Sequence, residues 1–386
     1  LMLLMYFDCA DETNDVNVYS VDLGGPDNDV LHPVTKLAME DYTRPGYVAV
    51  ASKIYVIGGE YLDTYAETHP KNVYICDLCR RSELKEGREC YYEWELGPKL
   101  NGGKPHPMVV VLNGKIYALA GYTLCLGIPD PAFEVSDHGR PGAVWTALPN
   151  PPFQSLYDDR FRLWGYTVIG DIIYYRLSTP VDEELVYLFD TANIKWLPDS
   201  GCNNTIARNL GKLWWEFRVD MVNDMIFQVS FNRGQLRVYA YDVALASKLD
   251  ELFQSNRNHD SIEELVDDDC DNCYMDYFDD SIRPHVKFPV HGFDEIKHLI
   301  KCDPYPTGFL TCLGDEMFCL VCICDPPEED PFFCISTFQV NIREEEGVTL
   351  EGPLKRKARS FHAVNLQHRS YKITEELGGP CTWSIM

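Results

Sequence analysis

Basic residues are scarce in this chain of 386 residues, which has 34 Lys and Arg side chains against 60 Asp and Glu. The formal net charge is −26, so the average surface repels phosphate backbones and anionic lipid headgroups. This balance argues against a nucleic-acid-binding role and against polybasic attachment to a membrane. We therefore expect a protein or small-molecule partner, and neither nucleic acid nor membrane.

Long hydrophobic runs are missing as well. The apolar stretch from Leu1 to Phe7 is too short to cross a bilayer, and it has neither the basic flank nor the cleavage site of a signal peptide. Its composition predicts a buried strand instead. Because no targeting segment is recognisable, the sequence favours the cytoplasm or the nucleus.

Regular cysteine spacing is also lacking. The 15 cysteines are odd in number and scattered, unlike the paired frameworks of small secreted proteins. Three Cys-x-x-Cys pairs, Cys76/Cys79, Cys270/Cys273 and Cys319/Cys322, lie too far apart in the sequence to predict a four-ligand zinc site. The last pair lies in an apolar run, where cysteine acts as a small hydrophobic residue. We expect free structural thiols and no metal site.

Common catalytic motifs are absent from the sequence. It contains no Walker P-loop, no Gly-x-Gly-x-x-Gly fingerprint, no Gly-x-Ser-x-Gly elbow and no His-Glu-x-x-His pair. The sequence therefore leaves open whether the protein is an enzyme, and it indicates no cofactor.

What the chain does contain is an internal repeat with the period of blade-type repeats. Lys53 to Gly59 (KIYVIGG) resembles Lys115 to Gly121 (KIYALAG), and degenerate copies occupy 171–177, 224–230 and 315–321. Each copy follows a short turn and another apolar run, which predicts a β-hairpin.

Further strands are predicted after each hairpin. A fourth segment carries a tryptophan in three copies, at Trp94, Trp145 and Trp196. Repeated sets of four antiparallel strands predict the blades of a β-propeller, because one twisted sheet cannot bury both of its faces alone. The predicted third strands are 16–23, 72–78, 132–137, 184–190, 236–243 and 334–342.

These residues resemble the kelch repeat. Gly58-Gly59 ends the second strand, an aromatic residue occupies the third strand at Tyr74, Phe133 and Tyr187, and the tryptophan lies in the fourth. The resemblance is good over residues 44–200 and degenerate over 205–374, where the double glycine and the tryptophan are lost. It implies a propeller in which the glycines let blades approach closely and the aromatic residues pack between blades.

The number of blades follows from the third strands, which predict an all-β, six-bladed propeller formed by residues 1–386 as a single domain. They are about 55 residues apart except for one gap of about 100. A seventh blade is the alternative for this gap. We favour an insertion over 244–300, since Ala244 to Phe253 has helical periodicity and Asp260 to Asp280 is rich in acidic residues.

The two chain ends are expected to close the propeller in one blade. Ser360 to Leu366 is predicted to be its first strand, and 1–7, 16–23 and 34–38 its other strands. Pairing the ends removes an open sheet edge. His368 to Thr374 also has the pattern of a second strand, which conflicts with Leu1 to Phe7 in that role.

Basic residues recur where the first strands begin. In a propeller the first strand lines the central channel, so these residues would form a positive ring inside a negative protein. Such a ring suits an acidic peptide or an anionic small molecule, because arginine binds carboxylate and phosphate in a bidentate way. The alternative is that they bond to loops of neighbouring blades. The ring residues are Arg44, His106, Arg162, Arg218 and, at the closure, Arg359 or His362.

Loops between the second and third strands are the other candidate surface. They include Tyr61, Tyr65 and His69 in one loop and Tyr122 in the next. Tyrosine offers rigid contact area for recognition.

The sequence leaves two candidate functions open. The kelch resemblance implies a protein-interaction module, such as a ubiquitin-ligase substrate receptor or a scaffold, that presents these loops and the channel mouth to a partner. The alternative is a small-molecule binder or an enzyme resembling the plant kelch specifier proteins, which would work at the channel mouth. The Glu-x-x-x-Asp-x-x-x-His iron motif of those enzymes does not occur in the sequence.

Overall fold

The computed structural model describes most of the chain, and its secondary structure is all β, with no helix among the described residues. Accordingly, none of them lies in a helix long and apolar enough to span a membrane. The described residues are 2–8, 16–22, 30–31, 33–39, 42–61, 69–81, 92–121, 129–138, 140, 142–153, 162–178, 184–197, 217–219, 221–222, 225–232, 235–242, 287–294, 307–314, 316–324, 332–350, 356–373 and 382–385.

The strands are numbered in chain order. They are β1 (Met2–Asp8), β2 (Val16–Asp22), β3 (Val30–Leu31), β4 (Pro33–Leu37), β5 (Tyr42–Thr43), β6 (Gly46–Val50), β7 (Lys53–Ile57), β8 (Glu60–Tyr61), β9 (Val73–Arg81), β10 (Tyr92–Leu96), β11 (Met108–Leu112), β12 (Lys115–Leu119), β13 (Phe133–Ser136), β14 (Thr146–Ala147), β15 (Arg162–Ile169), β16 (Ile172–Ser178), β17 (Glu184–Asp190), β18 (Lys195–Trp196), β19 (Phe217–Val219), β20 (Met221–Val222), β21 (Met225–Asn232), β22 (Gln235–Asp242), β23 (Lys287–His291), β24 (Thr307–Gly314), β25 (Met317–Cys324), β26 (Phe332–Leu350), β27 (Arg356–Ile373) and β28 (Thr382–Ile385).

Several antiparallel units of four strands make up the fold, an arrangement consistent with a β-propeller. Unit 1 has the strand order β28-β1-β2-β4, unit 2 β6-β7-β9-β10, and unit 3 β11-β12-β13-β14. Unit 4 is β15-β16-β17-β18, with β19 added in parallel to β15. Unit 5 (β20-β21-β22-β23) and unit 6 (β24-β25-β26-β27) share one larger sheet, because β23 pairs in parallel with β27. The short strands β5 and β8 pair with each other, and β3 pairs with β27.

The predicted hairpins and third strands are confirmed. The repeated segments that begin near Lys53, Lys115 and Asp171 form β7, β12 and β16, each the second strand of its unit. The six predicted third strands correspond to β2, β9, β13, β17, β22 and β26, with ends that shift by a few residues.

Consecutive residues of the inner strands pack on different neighbouring units. In β7, Ile54 and Val56 belong to the apolar cluster shared with unit 1, whereas Tyr55 and Ile57 belong to the cluster shared with unit 3. Strand β12 repeats this alternation between units 2 and 4. Because side chains alternate between the two faces of a strand, both faces of these sheets are buried.

The first strands of successive units lie beside one another. β28 lies against β6, β6 against β11, β11 against β15, and β15 against β20. Between units 2 and 3, the residues that precede β6 and β11 meet, and the candidate site lies there.

Tryptophan side chains join the units at their outer edges. The Trp145 indole in unit 3 donates a hydrogen bond to the Pro98 carbonyl of the segment that follows unit 2, at 3.0 Å. The Trp196 indole in unit 4 donates to the Pro149 carbonyl at 2.9 Å. Each Trp–Pro contact joins the fourth strand of one unit to the segment that follows the fourth strand of the preceding unit.

The chain ends do share one sheet, but the C-terminal strand differs from the expected one. β28 pairs with β1 from Leu3↔Ile385 to Tyr6↔Thr382, so Thr382–Ile385 is the first strand of unit 1. The segment Ser360 to Leu366 instead lies in β27, the last strand of unit 6, and pairs with β26. Most of His368 to Thr374 continues the same long strand, which removes the conflict with Leu1 to Phe7.

The expected insertion over 244–300 contains one strand of the sheet. β23 pairs with β22 and completes unit 5, because Val238, Tyr239 and Ala240 are register partners of its residues. The predicted helix over 244–253 and the acidic stretch over 260–280 lie outside the described residues and stay predictions.

Deleting residues 382–386 should destabilise the protein, because this removes the first strand of unit 1 and exposes the edge of β1. Since a net backbone hydrogen bond contributes about 1 kcal/mol, we expect a loss of roughly 2–4 kcal/mol in the free energy of unfolding. Urea unfolding followed by tryptophan fluorescence measures it. Deleting Met386 alone is the control, and equal stability of the two truncated proteins would contradict the observed closure.

Candidate functional site

Two of the predicted basic residues, Arg44 and His106, lie at equivalent places in neighbouring units. Arg44 comes two residues before β6, and His106 two residues before β11. Both have a left-handed backbone, with φ of 51° and 40°. Such backbone angles are uncommon outside glycine, so the two repeats place a basic side chain by the same unusual turn.

His106 contacts both Arg44 and Glu60, and Glu60 was not identified by sequence analysis. His106 Nε2 lies 2.7 Å from Glu60 Oε2, and Arg44 Nη1 lies 3.3 Å from the same ring nitrogen. Arg44 is exposed, whereas the His106 and Glu60 side chains are 22% and 20% exposed. The three residues, called here the Arg44–Glu60–His106 cluster, bridge units 2 and 3.

Local strand pairing positions Glu60 in this cluster. Glu60 opens β8 and pairs with Thr43 of β5, the residue before Arg44. The preceding Gly59 has φ of +118°, and a Cβ there would lie 2.9 Å from the Thr43 carbonyl oxygen. The double glycine noted in the sequence thus lets the chain turn sharply and bring Glu60 beside the basic residues.

The electrostatic environment keeps Glu60 ionised. The hydrogen bond from His106 is the largest influence that lowers the pKa of the Glu60 carboxyl, and the charges of His106, Arg44 and His69 act in the same direction, whereas burial opposes them. A carboxylate between basic groups partly neutralises them. In units 2 and 3, the expected positive ring is therefore an ion-paired cluster with one exposed guanidinium.

The other predicted ring residues are not brought to this cluster by the described part of the chain. Arg162 opens β15 and Arg218 lies in β19, so both belong to inner strands, but their side chains lie outside the described residues. Arg359 and His362 lie in β27, the last strand of unit 6, and not at the start of a first strand. Arg359 Nη1 is 3.9 Å from Asp242 Oδ2 there.

Of the four predicted loop residues, the structure describes two. Tyr61 is half-buried in β8 and pairs with Tyr42. His69 was expected on the loop surface but is buried, with 8% of its area exposed, because the backbone of Gly103 packs directly on its carbonyl. Tyr65 and Tyr122 lie outside the described residues.

The segment that leads to His106 carries a buried ion pair that sequence analysis also missed. The side chains of Lys104 and Glu134 are both fully buried and in direct contact. Lys104 Nζ also donates to the carbonyl oxygens of Gly102 and Pro131, at 2.8 and 2.7 Å, which uses its three N–H donors. Burial lowers the pKa of Lys104 to about 8, and Glu134 opposes that change.

Both carboxylate oxygens of Glu134 also accept hydrogen bonds. Its Oε1 accepts from the Gly102 amide at 3.0 Å, and its Oε2 accepts from the backbone and side-chain nitrogens of Asn101 at 2.9 and 2.7 Å. The ion pair therefore ties residues 101–104, which lead to His106, onto the third strand of unit 3. Its role is to position this segment, because every donor of Lys104 is already used.

The described cysteines of the Cys-x-x-Cys pairs are free thiols. Cys76 and Cys79 are three residues apart in one strand, so their side chains point to opposite faces. Burial raises the pKa of the Cys76 and Cys319 thiols to about 12, which keeps both protonated. Cys270 and Cys273 lie outside the described residues.

Comparisons with known proteins do not add a family to this geometry. No protein-family model matches the chain, and no curated protein is significantly similar to it.

Replacing Lys104 by Met should strongly destabilise the protein, because it leaves the Glu134 carboxylate buried without its cation. Loss of one partner of a buried pair costs about 3–5 kcal/mol. Adding Glu134→Gln removes that charge while keeping an acceptor for Asn101, so the double variant should be more stable than Lys104→Met alone. Chemical denaturation measures all variants, with exposed Lys115→Met as the control. A double variant less stable than the single one would contradict this interpretation.

The Arg44–Glu60–His106 cluster should make stability depend on acid pH. A carboxyl whose pKa is lowered by folding contributes stability above its ordinary pKa, about 4.3, and loses it as the pH falls through the lowered value. Glu60→Gln should cost roughly 1 kcal/mol at pH 7 and show a shallower loss below pH 4.3 than the wild type. Thermal unfolding from pH 3 to 7 measures the difference. Exposed Glu95→Gln should follow the wild-type curve, and parallel curves for Glu60→Gln would refute the assignment.

Proposed function

We propose that the chain is a six-bladed propeller of the kelch type that binds a protein partner at the mouth of its channel. Units 1 to 6 would be the blades, with β28 closing the ring. The double glycine that lets Lys104 approach, and the two Trp–Pro contacts between successive units, support the kelch type. The contacts among first strands support a radial arrangement.

The observation that carries the binding function is the Arg44–Glu60–His106 cluster. It lies where two neighbouring units meet, at the starting points of their first strands. Arg44 is exposed, and its backbone is held between β5 and β6 in a conformation repeated at His106. The Arg44 guanidinium lies 3.3 Å from His106 Nε2, and this contact reduces the conformational freedom that it loses when it binds a carboxylate.

The partner proposed for this surface is a protein segment with acidic side chains. The whole chain repels such a segment at long range because of its net charge of −26. The Debye length in physiological salt is about 8 Å, so repulsion between charges that are farther apart is largely screened. Short-range pairing with Arg44 and the other inner-strand arginines then decides binding. A substrate receptor or a scaffold would use the surface in this way, and we place it in the cytoplasm or the nucleus.

A second candidate function is a small-molecule binder or enzyme at the same mouth. The observation that favours it is the contact of 2.7 Å between His106 Nε2 and Glu60, because a carboxylate that orients an imidazole is a frequent acid–base arrangement. An anionic small molecule would bind Arg44 beside this pair. This alternative predicts that His106→Gln abolishes turnover of the substrate while partner binding is retained.

The test of the partner-binding proposal is a comparison of proteins recovered from an extract of the native source. Wild-type protein and an Arg44→Ala/Arg162→Ala/Arg218→Ala variant serve as bait, and quantitative mass spectrometry measures the recovery. We expect specific partners to fall at least about tenfold with the variant, since each charge-assisted contact contributes about 1.5–3 kcal/mol. A synthetic acidic peptide from the recovered partner should then compete for binding.

The matched control is Arg80→Ala/Arg140→Ala. These arginines are exposed, at 75% and 81% of their side-chain area, and each pairs locally with an aspartate three residues before it. The control should recover the same partners as the wild type. Equal recovery by the wild type and the triple variant would show that the channel mouth is not the binding surface.

A further inference from the structure

One ring nitrogen in the Arg44–Glu60–His106 cluster faces two groups that make opposite demands on it. His106 Nε2 lies 2.7 Å from Glu60 Oε2 and 3.3 Å from Arg44 Nη1. An imidazole nitrogen either carries a proton and donates, or carries a lone pair and accepts, whereas a guanidinium only donates and an ionised carboxylate only accepts. His106 Nε2 can therefore form a hydrogen bond with one of these two neighbours and not with both.

The carboxylate is the neighbour that determines the state of this nitrogen. Its contact is the shorter of the two, and a hydrogen bond to an ionised carboxylate is about twice as strong as a neutral one. The hydrogen bond from His106 is also the main cause of the lowered pKa of Glu60, and the positive charge of Arg44 lowers this pKa further. The proton therefore lies on Nε2 and is donated to Glu60, whether the ring is neutral or carries a second proton.

This proton has a consequence for Arg44. Because Nε2 already carries a hydrogen atom, the contact between Arg44 Nη1 and the ring is not a hydrogen bond and uses none of the guanidinium donors. Within the part of the chain that the structure describes, no carboxylate forms an ion pair with Arg44. The exposed guanidinium therefore keeps its donors for an external carboxylate.

The opposite arrangement would occupy Arg44. If position 60 had no polar side chain, the neutral ring could carry its proton on Nδ1 and its lone pair on Nε2. Arg44 Nη1 is already 3.3 Å from Nε2 and would then donate to it. A partner carboxylate would have to break this internal hydrogen bond before it could bind the guanidinium.

We propose that Glu60 positions the proton of His106 and thereby keeps the Arg44 guanidinium available to an acidic partner. This inference rests on the function proposed above, since it concerns the same surface. Glu60 is a positioning residue, because it acts through His106 and does not touch the partner. Charge alone predicts the reverse effect, since a carboxylate beside an anion-binding arginine should repel an acidic partner.

Two substitutions at position 60 separate the position of the proton from the charge. Glu60→Gln and Glu60→Leu remove the same negative charge, but the amide of Gln still engages Nε2, whereas Leu leaves it to Arg44. The probe is a fluorescein-labelled hexaglutamate peptide, titrated with the full chain at neutral pH and followed by fluorescence anisotropy. Glu60→Leu should bind it at least about threefold more weakly than Glu60→Gln, because one internal hydrogen bond must be broken.

The matched control for charge is Glu95→Leu. Glu95 is exposed in β10, away from the cluster, so this variant should bind the peptide as the wild type does. Circular dichroism and thermal unfolding establish that all variants are folded at the temperature of the titration.

Nuclear magnetic resonance of protein with ¹⁵N-labelled histidine reads the proton directly. The chain has 10 histidines, and comparison with His106→Gln assigns the signals of His106. We expect a protonated Nε2 in the wild type and a lone pair on Nε2 in Glu60→Leu. A purely structural role of Glu60 would change stability without moving this proton.

The outcomes distinguish this inference from the function on which it rests. If Arg44→Ala weakens peptide binding but Glu60→Gln and Glu60→Leu bind equally, the role of Glu60 is refuted and the binding role of Arg44 stands. If Arg44→Ala binds the peptide as the wild type does, the proposed function is wrong at this surface. A lone pair on His106 Nε2 in the wild type would overturn the inference whatever the peptide does.

Discussion

Burial of both faces of the inner strands is the constraint on which the rest of this structure depends. A four-stranded sheet whose strands are apolar on both faces cannot exist alone in water, because one face would stay exposed. Ile54 and Val56 face one neighbouring unit, and Tyr55 and Ile57 face the other. Units 2 and 3 are therefore each packed between two others, an arrangement consistent with a β-propeller. The C-terminal strand β28 pairs with the N-terminal strand β1 and so covers the edge of the sheet of unit 1.

The candidate site follows from the same constraint. Because first strands lie beside one another, residues two positions before them meet across unit boundaries, as Arg44 and His106 do. The linker before His106 must then pass close to unit 2, which requires glycine at position 58, where a Cβ would lie 2.5 Å from the Lys104 carbonyl oxygen. The buried Lys104–Glu134 pair fixes this linker at the cost of desolvating two charges. Packing between sheets thus determines the position of His106 relative to Glu60.

Local sequence patterns predict the strands of this fold well. They do not predict the burial of Lys104 or the strand that pairs with β1, because both depend on contacts between distant segments. The run of apolar side chains from Ile54 to Ile57, repeated after Lys115, is enough to recognise a strand and its repeats. In contrast, Lys104 follows two glycines and precedes a proline, a pattern typical of an exposed turn, and only the position of Glu134 on the next sheet makes its burial tolerable. The closing strand Thr382–Ile385 has four residues, too few for periodicity to identify, whereas Ser360 to Leu366 has a strong strand pattern that belongs to β27.

Two different kinds of contact hold neighbouring units together, and their distribution explains where the repeat degenerates. Units 1 to 4 have separate sheets, and the junctions between units 2, 3 and 4 carry the Trp–Pro contacts. From unit 4 onward, parallel backbone pairing appears at the edges of units. β19 pairs with β15 of unit 4, β23 of unit 5 pairs with β27 of unit 6, and β3 also pairs with β27. Hydrogen bonds between backbones do not require a particular side chain. The second half of the chain can therefore lose the tryptophan and the double glycine without losing the connection between units.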